Sequence, residues 1–157
     1  MPNRLNINNF IAFTAAEFHA ALTNSFFIYY AQCILIEGFE LRSSLNNILT
    51  ATSQSPLGQH TNLVSIHRDA QTSALEAVEL IFTHTTWHPW GSRLPASCPK
   101  CSSPQCWSKP DKSGSTYIYS CRRSGCSGTC SFQKPVGFEL HSSSVNGGCW
   151  MERAIKL

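Results

Sequence analysis

The apolar positions of the first half of the chain fall into short blocks separated by polar and turn-forming residues. Thr14-Ala15-Ala16-Glu17 has the form of a capping box, in which the Thr hydroxyl and the Glu carboxylate satisfy free backbone donors, and predicts a short helix over about 15–23. Phe26-Phe27-Ile28-Tyr29-Tyr30 and Cys33-Ile34-Leu35-Ile36 are aromatic and β-branched without alternation. They predict a strand covered on both faces, ended by Gly38. Leu41, Leu45, Ile48 and Leu49 form one helical stripe ahead of a Ser/Gln/Pro/Gly loop at 53–60. Asn62 to Ile66 reads as a second strand. Ser73-Ala74-Leu75-Glu76 repeats the capping-box form before Leu75, Val78, Ile81 and Phe82, which predicts a further helix. The order helix, strand, helix, strand, helix suggests the end of an α/β sheet with crossover connections. Two strands do not make an independent α/β domain. Residues 1–86 are therefore expected to be a partial α/β segment, either a piece of a larger domain or a weak layer leaning on the C-terminal half of the chain.

The pattern changes after residue 86. Residues 87–97, with two Trp, two Pro and one Gly, read as an ordered connector whose Trp87 and Trp90 seal a junction by packing rather than form an aromatic cage. Cys98-Pro99-Lys100-Cys101 then places two sulfurs on a tight loop, and nineteen residues later Cys121-Arg-Arg-Ser-Gly-Cys126 supplies a second pair. Zn²⁺ prefers four tetrahedral soft ligands, which these thiolates match, so the spacing points to a zinc ribbon over 98–157 with a C-terminal tail packing through Trp150. Thr116 to Ser120 alternates as a strand after the turn-forming Asp111 to Gly114, and Thr129 to Gln133 returns as its hairpin partner until Pro135. So small a module lacks the core to fold unaided, and one structural Zn²⁺ would supply folding free energy on the order of 10 kcal/mol or more. The whole is expected to be α+β.

Cys106, Cys130 and Cys149 read as spare thiols, Cys130 being the hardest to exclude because Cys121, Cys126 and Cys130 offer two alternative pairs. Cys33 reads as a small buried hydrophobe.

Composition narrows the picture. Of 157 residues 42% are apolar and 13% charged, which excludes a highly charged disordered chain and predicts poor solubility in isolation. Residues 1–86 carry a net −3 and residues 87–157 a net +6, a balance that four thiolates on Zn²⁺ would lower to +4. A disulfide framework would need an export signal, and no leader with a clean cleavage pattern is read here. The apolar stretch Phe26 to Ile36, 11 residues with Gln32 inside it, falls short of the roughly 20 that span a bilayer. An intracellular, reduced protein with no membrane partner is expected, nucleus or cytoplasm being left open.

Trp87-His88-Pro89-Trp90-Gly91, Leu94-Pro95, Cys98-Pro99-Lys100-Cys101, Trp107, Tyr119-Ser120-Cys121, Cys126, Phe132-Gln133-Lys134-Pro135, Gly137-Phe138 and Trp150-Met151 resemble the C-terminal zinc-ribbon tail of a group of uncharacterised fungal proteins. The resemblance covers roughly 60–157, and more loosely from about 35. It implies that longer relatives carry a larger α/β domain upstream, which would make this chain a shortened copy. Cys149, where the group would have a basic residue, and the extra Cys106 and Cys130 depart from it without touching the four ligands.

For function, four cysteines close the metal's shell, so the ribbon is expected to be structural and the chain a scaffold or protein-interaction module, binding a protein partner or a parent-fold surface, rather than an enzyme. A nucleic-acid reading competes with it: Lys100, Arg122, Arg123 and Lys134 could meet phosphate while Trp107 and Tyr119 stack bases, against the plainer reading of rings as core and charges as rim. A third reading makes the chain the remnant of a larger α/β enzyme, with His67 and Asp69 at a strand's end. No nucleophile with a recognisable setting accompanies them, and a solvated loop is the expectation.

Overall fold

The computed structural model describes residues 9–17, 19–52, 56–69, 72–142 and 145–157. Along the chain come β1 (Asn9–Phe13), α1 (Ala20–Tyr30) running into a π-helical turn (Ala31–Ile36), α2 (Leu41–Ala51), α3 (Leu57–His60), β2 (Leu63–Arg68) and β3 (Leu75–His84). Beyond a 3-10 turn (Pro89–Gly91) lie β4 (Asp111–Ser113), β5 (Thr116–Ser120), β6 (Thr129–Gln133), β7 (Glu139–Leu140) and β8 (Gly148–Ile155). One sheet has the order β1-β2-β3-β8-β7 and the other β4-β5-β6. The class is α+β, as the sequence indicates. Every strand pair is antiparallel, so the expected crossover connections give way to a β2–β3 hairpin and a long return from β3 to β8.

Three assignments are corrected. Phe26 to Ile36 is helical, not a strand: Phe26, Tyr30, Cys33 and Ile34, at helical spacing, all touch the main core. The stripe was hidden because Phe27, Ile28, Leu35 and Ile36 on the outer face are apolar too, and they are exposed. The capping box at Thr14 does not form. The Thr14 hydroxyl instead accepts from the Asn62 N–H at 3.1 Å, tying the end of β1 to the start of β2, and the helix begins at Ala20. Residues 75–84 are strand β3, not a helix. Val78, Leu80 and Phe82 face the helices while Ile81 and Thr83 face the small sheet, and burial on both sides leaves an unbroken apolar run that mimics helical spacing. Helix α2 and strands β2, β5 and β6 lie where the sequence places them, whereas Asp111–Ser113 forms β4, moving the turn to Gly114 and Ser115. Residues 53–55 of the predicted loop lie outside the described residues, and 57–60 are α3.

The β3–β8 ladder is the centre of the molecule. Phe82 opposes Trp150 and Ile81 opposes Met151. On one face Phe82 and Trp150, with ring centroids 5.5 Å apart, join Phe26, Leu45, Ile48, Leu49 and Leu57 under the helices. On the other, Ile81 and Met151 join Trp90, Tyr117, Tyr119 and Phe138. α3 presses so closely on this ladder that any side chain at Gly58 would overlap the Phe82 ring. Trp87 packs on the first core and Trp90 in the second, so the two indoles lie on opposite sides of the sheet. The tail strand β8 thus belongs to the larger sheet, and Trp150 is fully buried there.

An ion pair fastens α2 to β8. The Arg42 guanidinium donates to both Glu152 oxygens, at 2.9 and 3.1 Å, and His141 Nδ1 lies 2.7 Å from the same carboxylate. Burial raises the Glu152 carboxyl, but the Arg42 hydrogen bonds and the nearby charges outweigh it and hold it below its ordinary value. His141 is held below its ordinary range, chiefly by burial.

Replacing Trp150 by Ala should cost about 3–5 kcal/mol in denaturant unfolding, whereas Val136→Ala, at a side chain 92% exposed, should change stability by less than about 0.5 kcal/mol. Both depressed groups are protonated more readily in the unfolded chain, so acid favours unfolding. Melting temperature should fall as pH drops below about 6.5, where unfolded histidine takes up its proton, and again below about 4.5, where unfolded carboxylates do. Glu152→Gln should flatten the second decline.

Candidate metal centre

The two cysteine pairs come from loops that the backbone shapes around the sulfurs. In the first, the Ser102 N–H donates to the Cys98 carbonyl at 2.8 Å and the Cys98 N–H to the Ser103 carbonyl at 2.9 Å. Ser102 closes the loop with a φ of 55°, in the left-handed region. In the second, the Cys126 N–H donates to the Arg123 carbonyl at 3.0 Å and the Cys121 N–H to the Gly128 carbonyl at 2.8 Å, which carries the chain from the end of β5 towards β6. Trp107 bridges to Cys121, extending the ladder beside the site.

These loops bring Cys98, Cys101, Cys121 and Cys126 together, their four Sγ atoms all within 4.8 Å of one another. Cys98 Sγ lies 3.8 Å from Cys126 Sγ, and Cys101 Sγ 3.7 Å from Cys121 Sγ. A tetrahedron of sulfurs bonded at about 2.3 Å to a central ion has edges of about 3.8 Å, so these pairs already stand at the spacing such an ion requires. All eight cysteines are free thiols. The four can therefore hold one metal ion, and tetrahedral sulfur donors suit zinc or iron.

The thiols divide the protons among themselves. Burial pushes the Cys98 thiol up, but backbone donors from Cys101 and Lys100 and the thiols of Cys101 and Cys126 outweigh it and bring it down to about 7. At Cys121 the Arg123 backbone pulls down, yet burial and the Cys106 and Cys101 side chains prevail and take it up to about 11. At Cys126 the Gly128 backbone likewise pulls down, and burial with three neighbouring thiols carries it up to about 11. One sulfur readily becomes a thiolate while its neighbours donate to it; a divalent cation would replace those protons.

Two supporting residues were not recognised from sequence. Gly128 donates its N–H to Cys126 Sγ at 3.4 Å, and a Cβ there would sit 2.5 Å from Cys98 Sγ. Its signal was a glycine two positions after a candidate ligand. Cys106, read as a spare thiol, lies buried with Cys98 and Cys121, its side chain hydrogen-bonded to that of Cys121. Cys130 and Cys149 stand outside the cluster of four.

The residues considered for nucleic acid do not all come together on one face. Lys100 donates to the Ser127 hydroxyl at 2.5 Å and Arg123 to the Cys101 carbonyl at 3.2 Å, and both line a small surface pocket beside the cysteines. Arg122 is exposed, and Lys134 lines a different cavity, between the sheets. Tyr119 is fully buried and its hydroxyl donates to the Thr85 carbonyl at 2.6 Å, which leaves no ring face for a base. Trp107 is half-buried and its indole N–H donates to the Pro95 carbonyl at 2.8 Å.

His67 and Asp69 do not converge. His67 is buried on β2 with Nε2 3.4 Å from Glu76, whereas the Asp69 carboxylate accepts from the Thr72 N–H and hydroxyl at 2.6 and 2.7 Å within the β2–β3 turn. His84 beside the connector accepts at Nδ1 from the Thr86 N–H, so its Nε2 donates to the Asn146 carbonyl, 3.0 Å away, and its ring stacks on Trp87.

No protein-family model, curated protein or solved structure matches the chain. No described helix is long and apolar enough to cross a membrane.

Gly128→Ala should force Cys98 Sγ away from its partners and weaken metal binding at least about tenfold, read by competition with a chromogenic chelator. Val136→Ala, at a side chain 92% exposed, should leave the affinity unchanged.

Proposed function

We propose that Cys98, Cys101, Cys121 and Cys126 hold one Zn²⁺ in a closed, structural shell, and that the chain acts as a non-catalytic scaffold or protein-interaction module. The observation that carries this reading is the convergence of four thiols within 4.8 Å of one another, with Cys98–Cys126 and Cys101–Cys121 at 3.8 and 3.7 Å. Four protein ligands leave no position for a reacting water, which is the arrangement of a structural rather than a catalytic ion. The surroundings support the same role. Tyr119 and Phe132 pack the small sheet against β3 and β8, and Cys121 follows directly on β5, so an ion held there would fix that sheet's geometry. Eight unpaired cysteines suit a reducing, intracellular compartment.

The interaction role draws support from α1 and the π-helical turn. Phe27, Ile28, Leu35, Ile36 and Phe39 stand exposed, giving a helical layer that is apolar on both sides, as expected where another surface covers it. This fits a protein partner or the surface of a parent fold. With Lys134 in a different cavity from Lys100 and Arg123, and Tyr119 buried, the nucleic-acid reading has no comparable support.

Protein purified in reducing buffer without chelator should contain about one zinc per chain by elemental analysis and be colourless, whereas iron on thiolates would absorb in the visible. Cys121→Ser should abolish binding and unfold the small sheet, read by loss of near-ultraviolet circular dichroism. Cys130→Ser should retain one zinc. A metal-free chain with that sheet still folded, or a disulfide among the four ligands, would overturn the reading.

A further inference from the structure

A cavity of about 460 Å³ lies between the two sheets, and none of the four clustered cysteines lines it. Its size falls within the roughly 300–1,000 Å³ range of small-molecule sites. Trp90 and Tyr117 form one aromatic wall, their rings stacked with centroids 4.7 Å apart and planes 19° from parallel. Cys149 of β8 and Leu140 of β7, the latter 69% exposed, add to the apolar lining.

Charge around this apolar space has one sign. Lys112 of β4 and Lys134 just beyond β6 both line it, and no Asp or Glu does. Among the described ion pairs neither lysine takes part, so neither ammonium is neutralised by the protein. Lys112 Nζ stands over the Tyr117 ring, 5.9 Å from its centroid, which brings a cation onto the aromatic wall. Burial pushes the Cys149 thiol up, so that group stays neutral near pH 7 and brings no competing negative charge. An aromatic and aliphatic recess with two unneutralised ammonium groups is complementary to a molecule that joins a flat apolar body to an anionic head.

We propose that this cavity binds a small aromatic carboxylate, its ring system against Trp90 and Tyr117 and its carboxylate held by Lys112 and Lys134. The site is independent of the metal's identity, although the metal fixes the small sheet that supplies Tyr117 and both lysines. It gives the space between the sheets a function that a purely structural module does not require.

Calorimetric titration of the zinc-loaded protein with 2-naphthoate and with its uncharged counterpart 2-naphthylmethanol at low salt tests this. The naphthoate should bind at one site per chain, at least about tenfold more tightly than the alcohol, because a carboxylate between two ammonium groups makes charge-assisted hydrogen bonds that a hydroxyl does not. Lys112→Gln with Lys134→Gln should bring the two probes to equal affinity while keeping one zinc per chain and the parent melting temperature. No binding of either probe, equal affinity for both in the parent protein, or a preference for naphthoate that survives in the double variant would each overturn the proposal. Retained zinc in the same samples separates these outcomes from any failure of the metal centre.

Discussion

The pairing of β3 with β8 is the constraint around which the rest is arranged. Where Ala77–Thr83 lies beside Cys149–Ile155, the stretch from Leu80 to Thr83 and from Cys149 to Met151 is covered on both faces, so alternate residues serve two different cores: Phe82 and Trp150 under the helices, Ile81 and Met151 under the small sheet. Over that stretch the strands have no solvated side to supply polar residues, and their charged residues, Glu79 and Arg153 among them, lie beyond it. That explains why a chain with only 13% charged residues is nevertheless built from antiparallel strands, which commonly keep one face in water. It also makes the two cores cooperate, since displacing the ladder towards one layer would open a gap beneath the other.

The small sheet contributes three short strands and a few rings, too little buried surface to stand alone. It is held at two points. Trp90, whose N–H donates to the Thr83 hydroxyl at 2.8 Å, stacks on Tyr117 and anchors the sheet to β3. The cysteine cluster closes the opposite end, where β5 passes towards β6. With an ion bound, a hydrophobic clamp and a coordinating one would divide a task that neither side-chain packing nor metal chemistry would perform alone.

How much of this was legible in the sequence varied with the kind of signal. Cys98, Cys101, Cys121 and Cys126 were readable because ligand spacing is a local property of the chain, and β5 and β6 because alternation and turn residues bracket them. The helix at Phe26 and the strand at Leu75 were exchanged for a shared reason: periodicity reveals an element only when one of its faces is polar, and both segments are apolar on two sides. β1 gave no warning at all, since its five residues acquire meaning only through pairing with β2, some fifty residues on. The cavity and the roles of Gly128 and Lys112 depend on how separate elements approach, which no local pattern encodes.

The connectivity of the central ladder bears on how the molecule reaches its native state. Glu79 and Arg153 are bonded across 74 positions of sequence, and the chain between β3 and β8 contains the whole small sheet. Joining ends so far apart carries a loop-closure entropy that slows the search, but the effective loop shortens once its interior is cross-linked. Four sulfurs gathered between Cys98 and Cys126 would make such a cross-link on binding an ion, from contacts at most 28 positions apart. Ion capture would then come early, converting a floppy tether into a preassembled block that delivers β8 to β3, so the metal would govern folding speed as well as final stability.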